Sequence, residues 1–145
     1  VTQIHIGFTG TSDTMRDEQL ASVRELLLGY PPVINQDRWF HHGDCVNADY
    51  RAGGVADALG FHIHLHPPQD DTRRAFSRYD VADTPRPFLE RNHRIVDCTS
   101  VLIAAPRGAL EQMRSGTWAT VRYARKLHRP IYIVSPNGRV RKENV

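Results

Sequence analysis

From Gln3 to Phe8, Ile4, Ile6 and Phe8 alternate with His5 and Gly7, the two-residue period of a strand with one buried face. Leu20, Val23 and Leu27 then follow a helical spacing. Thr14 is placed to cap that helix, Met15 to begin it and Asp17 to meet its positive end, and Gly29-Tyr30-Pro31-Pro32 stops it. A short strand is expected at Trp39–His42. A second helix should run from about Asn47 to Leu59, with Ala48, Ala52, Val55, Ala56 and Leu59 on one face and Gly60 as its stop. Phe61, Ile63 and Leu65 alternate with His62, His64 and His66 in a third strand, which Pro67-Pro68 terminates. The polar stretch from Gln69 to Arg86 has no period and reads as a long loop of the kind that covers a site.

Pro87 suits the first turn of a third helix carrying Phe88, Leu89, Ile95 and Val96. Val101–Ala105 is continuously apolar, as a central strand buried on both faces requires. After a loop from Pro106 to Arg114, Ser115-Gly116-Thr117 opens a fourth helix whose inner face carries Trp118, Val121, Ala124 and Leu127. Ile131–Val134 is the last expected strand, and a charged tail follows Pro136-Asn137-Gly138. Five strands interleaved with helices predict one α/β domain over residues 1–145, with a mainly parallel sheet in the order 3-2-1-4-5. Its switch point lies between the first and fourth strands, so a ligand is expected beyond Thr9-Gly10-Thr11 and the Pro106–Thr117 segment.

Forty per cent apolar and 24% charged residues match a folded globular chain. No apolar run approaches the ~20 residues of a membrane span, and no charged segment precedes an apolar signal core, so a cytoplasmic protein without a membrane partner is expected. The start at Val1 rather than Met fits the loss of a short leader or tag. Cys45 and Cys98 are too few for a disulfide framework or a four-thiolate zinc site, and a reducing compartment suits them. A net charge of +3 favours anionic partners without the basic tract of a dedicated DNA binder.

Arg114-Ser115-Gly116-Thr117 at a helix start is the strongest local signal. The residues read either as an anion site, with Gly116 admitting a phosphate and Ser115 and Thr117 donating to it, or as an ordinary Ser-capped helix. Gly43-Asp44, with Asp49 following, could hold a ribose hydroxyl or position an acid, or form only a tight turn and helix cap. Arg91 and Arg94, three apart, could clamp a phosphate together or share a solvated face. His62, His64 and His66 share one strand side but are expected ~7 Å apart in successive pairs. They read as a surface or edge face, and no metal ion or cofactor is expected. Neither a Walker A loop nor a G-x-G-x-x-G fingerprint is present, which disfavours an ordinary NTPase or dehydrogenase.

Gly7-Phe8-Thr9-Gly10-Thr11, His42-Gly43-Asp44-Cys45 with Ala48-Asp49, Phe88-Leu89-Glu90-Arg91-Asn92, Leu102–Pro106 and Arg114–Val121 follow one another in an order that resembles the SLOG superfamily. That superfamily joins the DNA-processing protein A fold to the Lonely Guy proteins, and the chain looks most like its small stand-alone YpsA-like members of bacteria and phages. The resemblance implies a Rossmann-like three-layer sandwich and a pocket for a nucleotide-derived small molecule. Together with the local readings above, the expected ligand residues are Thr9, Gly10, Thr11, Gly43, Asp44, Asp49, Arg91, Asn92, Arg94, Pro106, Ser115, Gly116 and Thr117. Lonely Guy enzymes release a base from a nucleoside monophosphate, using an upstream Glu-Arg pair and a P-G-G-x-G-T-x-x-E motif. Glu90-Arg91 matches the pair and Gly116-Thr117 the G-T, but Thr120 stands where the catalytic glutamate belongs. A sensor or sequestering domain is therefore expected ahead of an N-glycosidase or ribosyltransferase, in which Arg91 and Glu90 would act with Asp44, Asp49 or Glu111 as the carboxylate. Binding of single-stranded nucleic acid is a third, less favoured reading, and relatives' self-association suggests a homodimer.

Overall fold

The computed structural model describes all residues 1–145. Its α/β fold is built on a mostly parallel sheet with helices on both faces. The strands are β1 (Thr2–Gly10), β2 (Gln36–His42), β3 (His62–Leu65), β4 (Val81–Ala82), β5 (Val101–Ala105), β6 (Ile131–Val134) and β7 (Val140–Glu143). The helices are α1 (Asp17–Leu28), α2 (Ala48–Ala58), α3 (Phe88–Asp97) and α4 (Gly116–Lys126). The sheet order is β4-β3-β2-β1-β5-β6-β7, so its inner five strands follow the expected order, while the strand count is seven rather than five. No helix is long and apolar enough to cross a membrane.

Both additional strands lie at edges, where the amphipathic pattern is weakest. β4 is two exposed residues within the stretch expected to be a loop; it pairs with His64 and Leu65. Asp80 locks it in place, accepting from Ile63 N at 2.8 Å while its own amide donates to Ile63 O. β7 lies in the charged tail and runs antiparallel to β6. Its Val-Arg-Lys-Glu sequence is what an exposed edge strand carries to discourage further pairing. Arg125 of α4 fastens it through Glu143 at 2.7 Å.

The sheet separates two cores. Ile6, Phe8, Phe40, Ile63, Leu65, Val101 and Ile103 pack against Val23 and Leu27 of α1 and Ala48, Ala52 and Ala56 of α2. Leu102, Ala104, Ile131 and Ile133 face Ile95 and Val96 of α3 and Trp118, Val121 and Ala124 of α4. The uninterrupted apolar run of β5 is thereby explained, because its alternate residues enter different cores. Buried Gln19 ties the far ends of β5 and β6 together, donating to the carbonyls of Pro106 at 2.8 Å and Val134 at 2.9 Å.

Two helix starts differ from expectation. α1 begins at Asp17, with Arg16 at the cap position and no side-chain cap. Met15 is instead buried in the core, which draws the chain inward before the helix can start. Pro87 occupies the cap position of α3, one residue before its first turn, where its missing N–H is of no consequence.

Candidate functional site

A cleft of about 410 Å³ opens beyond the ends of β1 and β5, at the switch point. Thr9, Gly10 and Thr11 end β1 on one side, and Ser115, Gly116 and Thr117 begin α4 on the other. Asp49, Arg91 and Asn92 complete the part of the wall foreseen from sequence. Ser12, Asp13, Cys45, Arg73, Phe88, Arg107, Gln112 and Arg114 also line it and were not foreseen as ligand residues. Most of them belong to loops without a period, where only folding reveals which way a side chain faces. Arg114 belongs to the helix-start signal read from the sequence, directly before the Ser-Gly-Thr turn, although it was not counted among the ligand residues.

Ser115 caps α4 by accepting from Trp118 N at 3.2 Å. The amides of Gly116 and Thr117, in the first turn, have no acceptor within the helix, and the helix dipole adds positive potential there. A Cβ on Gly116 would meet nothing nearer than Asn92 Nδ2 at 3.9 Å, so the space in front of this turn is open. Four arginines against two aspartates make the lining positive. Arg73 is engaged with Ser12 O at 2.6 Å and Arg107 with Asp13 at 3.3 Å, whereas Arg114 is exposed with its guanidinium unpaired. Replacing Ser115 with Ala is expected to cost about 1 kcal/mol through loss of the cap. Urea denaturation of the two proteins measures it.

Arg91 is 5% exposed and held from several sides. One guanidinium nitrogen donates to Gly43 O and to His66 O, the latter at 3.2 Å, and Nε donates to Asn92 Oδ1 at 2.7 Å. Asp49 is buried beside it and accepts from Cys45 N at 3.2 Å. Burial raises the Asp49 carboxyl to about 6, against the opposing pull of Arg91 and the amides of Cys45 and Gly43. A carboxyl at that level exchanges a proton near neutral pH.

Other residues singled out from sequence lie elsewhere. Asp44 is 0% exposed, and its carboxylate takes Arg74 Nε at 2.8 Å and Ser77 N at 2.9 Å, anchoring the loop after β3. Gly43 leaves room for Arg91 and Asp49, because a Cβ would come within 2.6 Å of Arg91 Cζ and 2.9 Å of Asp49 Oδ2. Gly10, though at the cleft, is likewise tight, 2.5 Å from Ala48 Cβ if given a side chain. Glu90 pairs with Arg86 at 2.9 Å, and Glu111 with Arg122 and Arg125 at 3.0 and 2.8 Å. Pro106 gives its carbonyl to Gln19. Arg94 does not join Arg91 in the cleft but turns to Asp83 at 3.6 Å. Thr120 is buried and its hydroxyl donates to Gly116 O at 2.9 Å within the helix.

The histidine stripe is not a surface face. His66 is 1% exposed, His64 is mostly covered, and only His62 is open. The rings of His64 and His66 stack at 4.5 Å, well inside the ~7 Å expected from strand spacing, His66 lying just past the end of β3. Burial, reinforced by neighbouring rings, lowers His41 to about 2. Burial also lowers His66 to about 3 even though Asp83 pulls the other way, so the close approach of His66 to Asp83 joins a neutral ring to a carboxylate.

A doubly wound α/β domain with an electropositive cleft at its switch point is the class these features define. No family profile matches the chain, and neither does any curated protein sequence. Solved structures do. The molybdenum cofactor binding protein of Rippkaea orientalis superposes with a TM-score of 0.66 at 19% identity, covering 92% of this chain and 77% of that one. The molybdenum cofactor carrier protein of Chlamydomonas reinhardtii gives 0.62 at 21% identity, with 90% and 76% covered. DNA processing protein A of Helicobacter pylori, studied for its single-stranded DNA binding mode, gives 0.58 at 16% identity, with 91% and 65% covered. The chain shares the Rossmann-like α/β fold of these structures.

Proposed function

We propose that this domain binds a phosphate-bearing, nucleotide-derived small molecule in the cleft, as a sensor or sequestering module. The observation that carries this reading is the open turn at Gly116. Two amides free of helix acceptors, the Ser115 and Thr117 hydroxyls and the unpaired Arg114 surround a space that no side chain fills. Thr9 and Thr11 supply polar groups opposite, and the exposed ring of Phe88 offers apolar surface for a base. The cofactor-binding and single-stranded-DNA-binding relatives of the same fold support a ligand held by phosphate chemistry.

Gly116→Val separates ligand binding from folding. A side chain at this position meets open space, and valine has the better helix propensity, so thermal stability without ligand should be unchanged or slightly raised. The same side chain occupies the phosphate approach, and affinity for AMP as probe should fall at least about tenfold, roughly 1.4 kcal/mol. Calorimetric titration of both proteins with AMP and with inorganic phosphate checks this. Equal affinity in the two proteins would remove the turn from the site. Affinity for an oligonucleotide that exceeds AMP affinity and falls steeply with salt would move the reading to nucleic acid.

A second reading rests on Asp49. A buried carboxyl near 6, lining the cleft beside Arg91, is suited to general acid–base work on a glycosidic bond. It would take over from the carboxylate missing at Thr120. Incubation with AMP distinguishes the readings, since intact AMP supports binding alone and adenine that appears with wild type but not with Asp49→Asn supports turnover.

A further inference from the structure

On the α3/α4 side of the sheet, those two helices cover β1, β5 and β6, leaving the β2–β3 half without a helix of its own. The inward positions that would ordinarily hold aliphatic side chains carry His41 on β2 and His64 on β3, with His66 directly after it. We propose that His41, His64 and His66 form a binding site for one divalent transition-metal ion of the zinc class, with Asp83 orienting the rings from behind.

Three ring nitrogens, one from each histidine, lie within 4.8 Å of one another. His41 Nδ1 and His66 Nε2 are the nearest pair, at 2.8 Å. Two nitrogens on a tetrahedral zinc ion stand about 3.3 Å apart, given bonds of about 2.0–2.1 Å, so that pair need open only by about half an ångström. The carboxylate of Asp83 reaches the opposite sides of two rings. Its Oδ1 is 2.9 Å from His64 Nε2, and its Oδ2 is 2.9 Å from His66 Nδ1. With those nitrogens carrying the protons, His64 Nδ1 and His66 Nε2 present lone pairs, the carboxylate–histidine arrangement that prepares imidazoles for a metal; the one on His66 Nε2 accepts from His41 Nδ1 until an ion takes the place of that proton. Imidazole ligands select zinc, copper, nickel or cobalt over magnesium and calcium.

A second observation points the same way. His66 Nδ1 and Asp83 Oδ2, although 2.9 Å apart, are misaligned for a hydrogen bond; both are buried, His66 Nδ1 has no other partner, and Asp83 Oδ2 has only the Arg94 ion pair at 3.6 Å. Unsatisfied polar atoms in a packed site cost free energy. A small rotation of the His66 ring toward a bound ion would bring that pair into line. His5, whose Nδ1 is 2.8 Å from His41 Nε2, stands behind His41 as Asp83 stands behind the other two. The adjoining positive group is Arg94, 3.6 Å from Asp83.

The test uses the full chain, stripped with a chelator and titrated with Zn²⁺ against a chromophoric competitor, and separately with Co²⁺ followed by its visible absorption. One ion per chain, the intense absorption of tetrahedral cobalt and a rise in thermal stability are expected. Because His66 is buried, the partly accessible His64 carries the main comparison. His64→Gln should lose at least tenfold in zinc affinity, and Asp83→Asn about 10–100-fold. His62→Gln, on the same strand but in the open, should bind as wild type does. Absence of saturable one-to-one binding overturns the proposal, as does equal affinity in wild type and His64→Gln.

Discussion

Gly43→Ala is expected to destabilise the protein by about 3 kcal/mol or more and to weaken AMP binding with it. The added Cβ would sit 2.6 Å from Arg91 Cζ and 2.9 Å from Asp49 Oδ2. An arginine tip usually swings away from such a clash at little cost. This one is 5% exposed and donates to the carbonyls of Gly43 and His66, so moving it strands two buried acceptors as well as its own charge. Overpacking alone typically costs about 1–3 kcal/mol, and each unsatisfied buried group adds about 1–3. Urea denaturation measures the loss, and a change below about 1 kcal/mol would mean that the guanidinium can relocate.

The second large effect depends on pH. Asp49 has a folded value raised to about 6, principally by burial, against about 3.9 in an unfolded chain. Because the folded state holds this proton more tightly, its favourable contribution is complete below the unfolded value and is lost as the pH rises through the folded one. The whole difference is about 3 kcal/mol. Asp49→Asn has no proton to lose, and its amide oxygen can still accept from Cys45 N. Comparing the two proteins at each pH cancels the other titrating groups. The stability of Asp49→Asn relative to wild type should therefore increase by about 2 kcal/mol between roughly pH 4.5 and pH 8. Parallel urea denaturation series would show it, whereas a pH-independent difference would mean that water reaches the carboxylate.

The readable parts of the fold are those with a strong period. Ile4, Ile6 and Phe8 announced β1, and the apolar run Val101–Ala105 announced a strand between two cores. β4 could not be read because its two residues are exposed and the strand forms only when Asp80 docks on Ile63. β7 has the charges of a tail and becomes a strand only through β6 and Arg125. The site divides in a similar way. Thr9, Thr11, Asp49, Arg91, Asn92 and Ser115–Thr117 reach one cleft because each lies beside a strand end or helix start that the pattern locates. Asp44 and Glu111 looked equally suitable as carboxylates, yet arginines on other elements engage both.

By itself the sequence determined the α/β alternation, the order of the inner strands and the small polar turns at their ends, since all three follow from local periodicity and from the handedness of crossovers. Tertiary structure alone decided which way long side chains turn. It sent Arg91 inward and Arg94 toward Asp83, and left Arg114 free. It also brought His41 of one strand against His64 and His66 of the next. Strand spacing along the chain says nothing about a neighbour across the sheet, because adjacent strands are only about 4.8 Å apart whatever separates them in sequence.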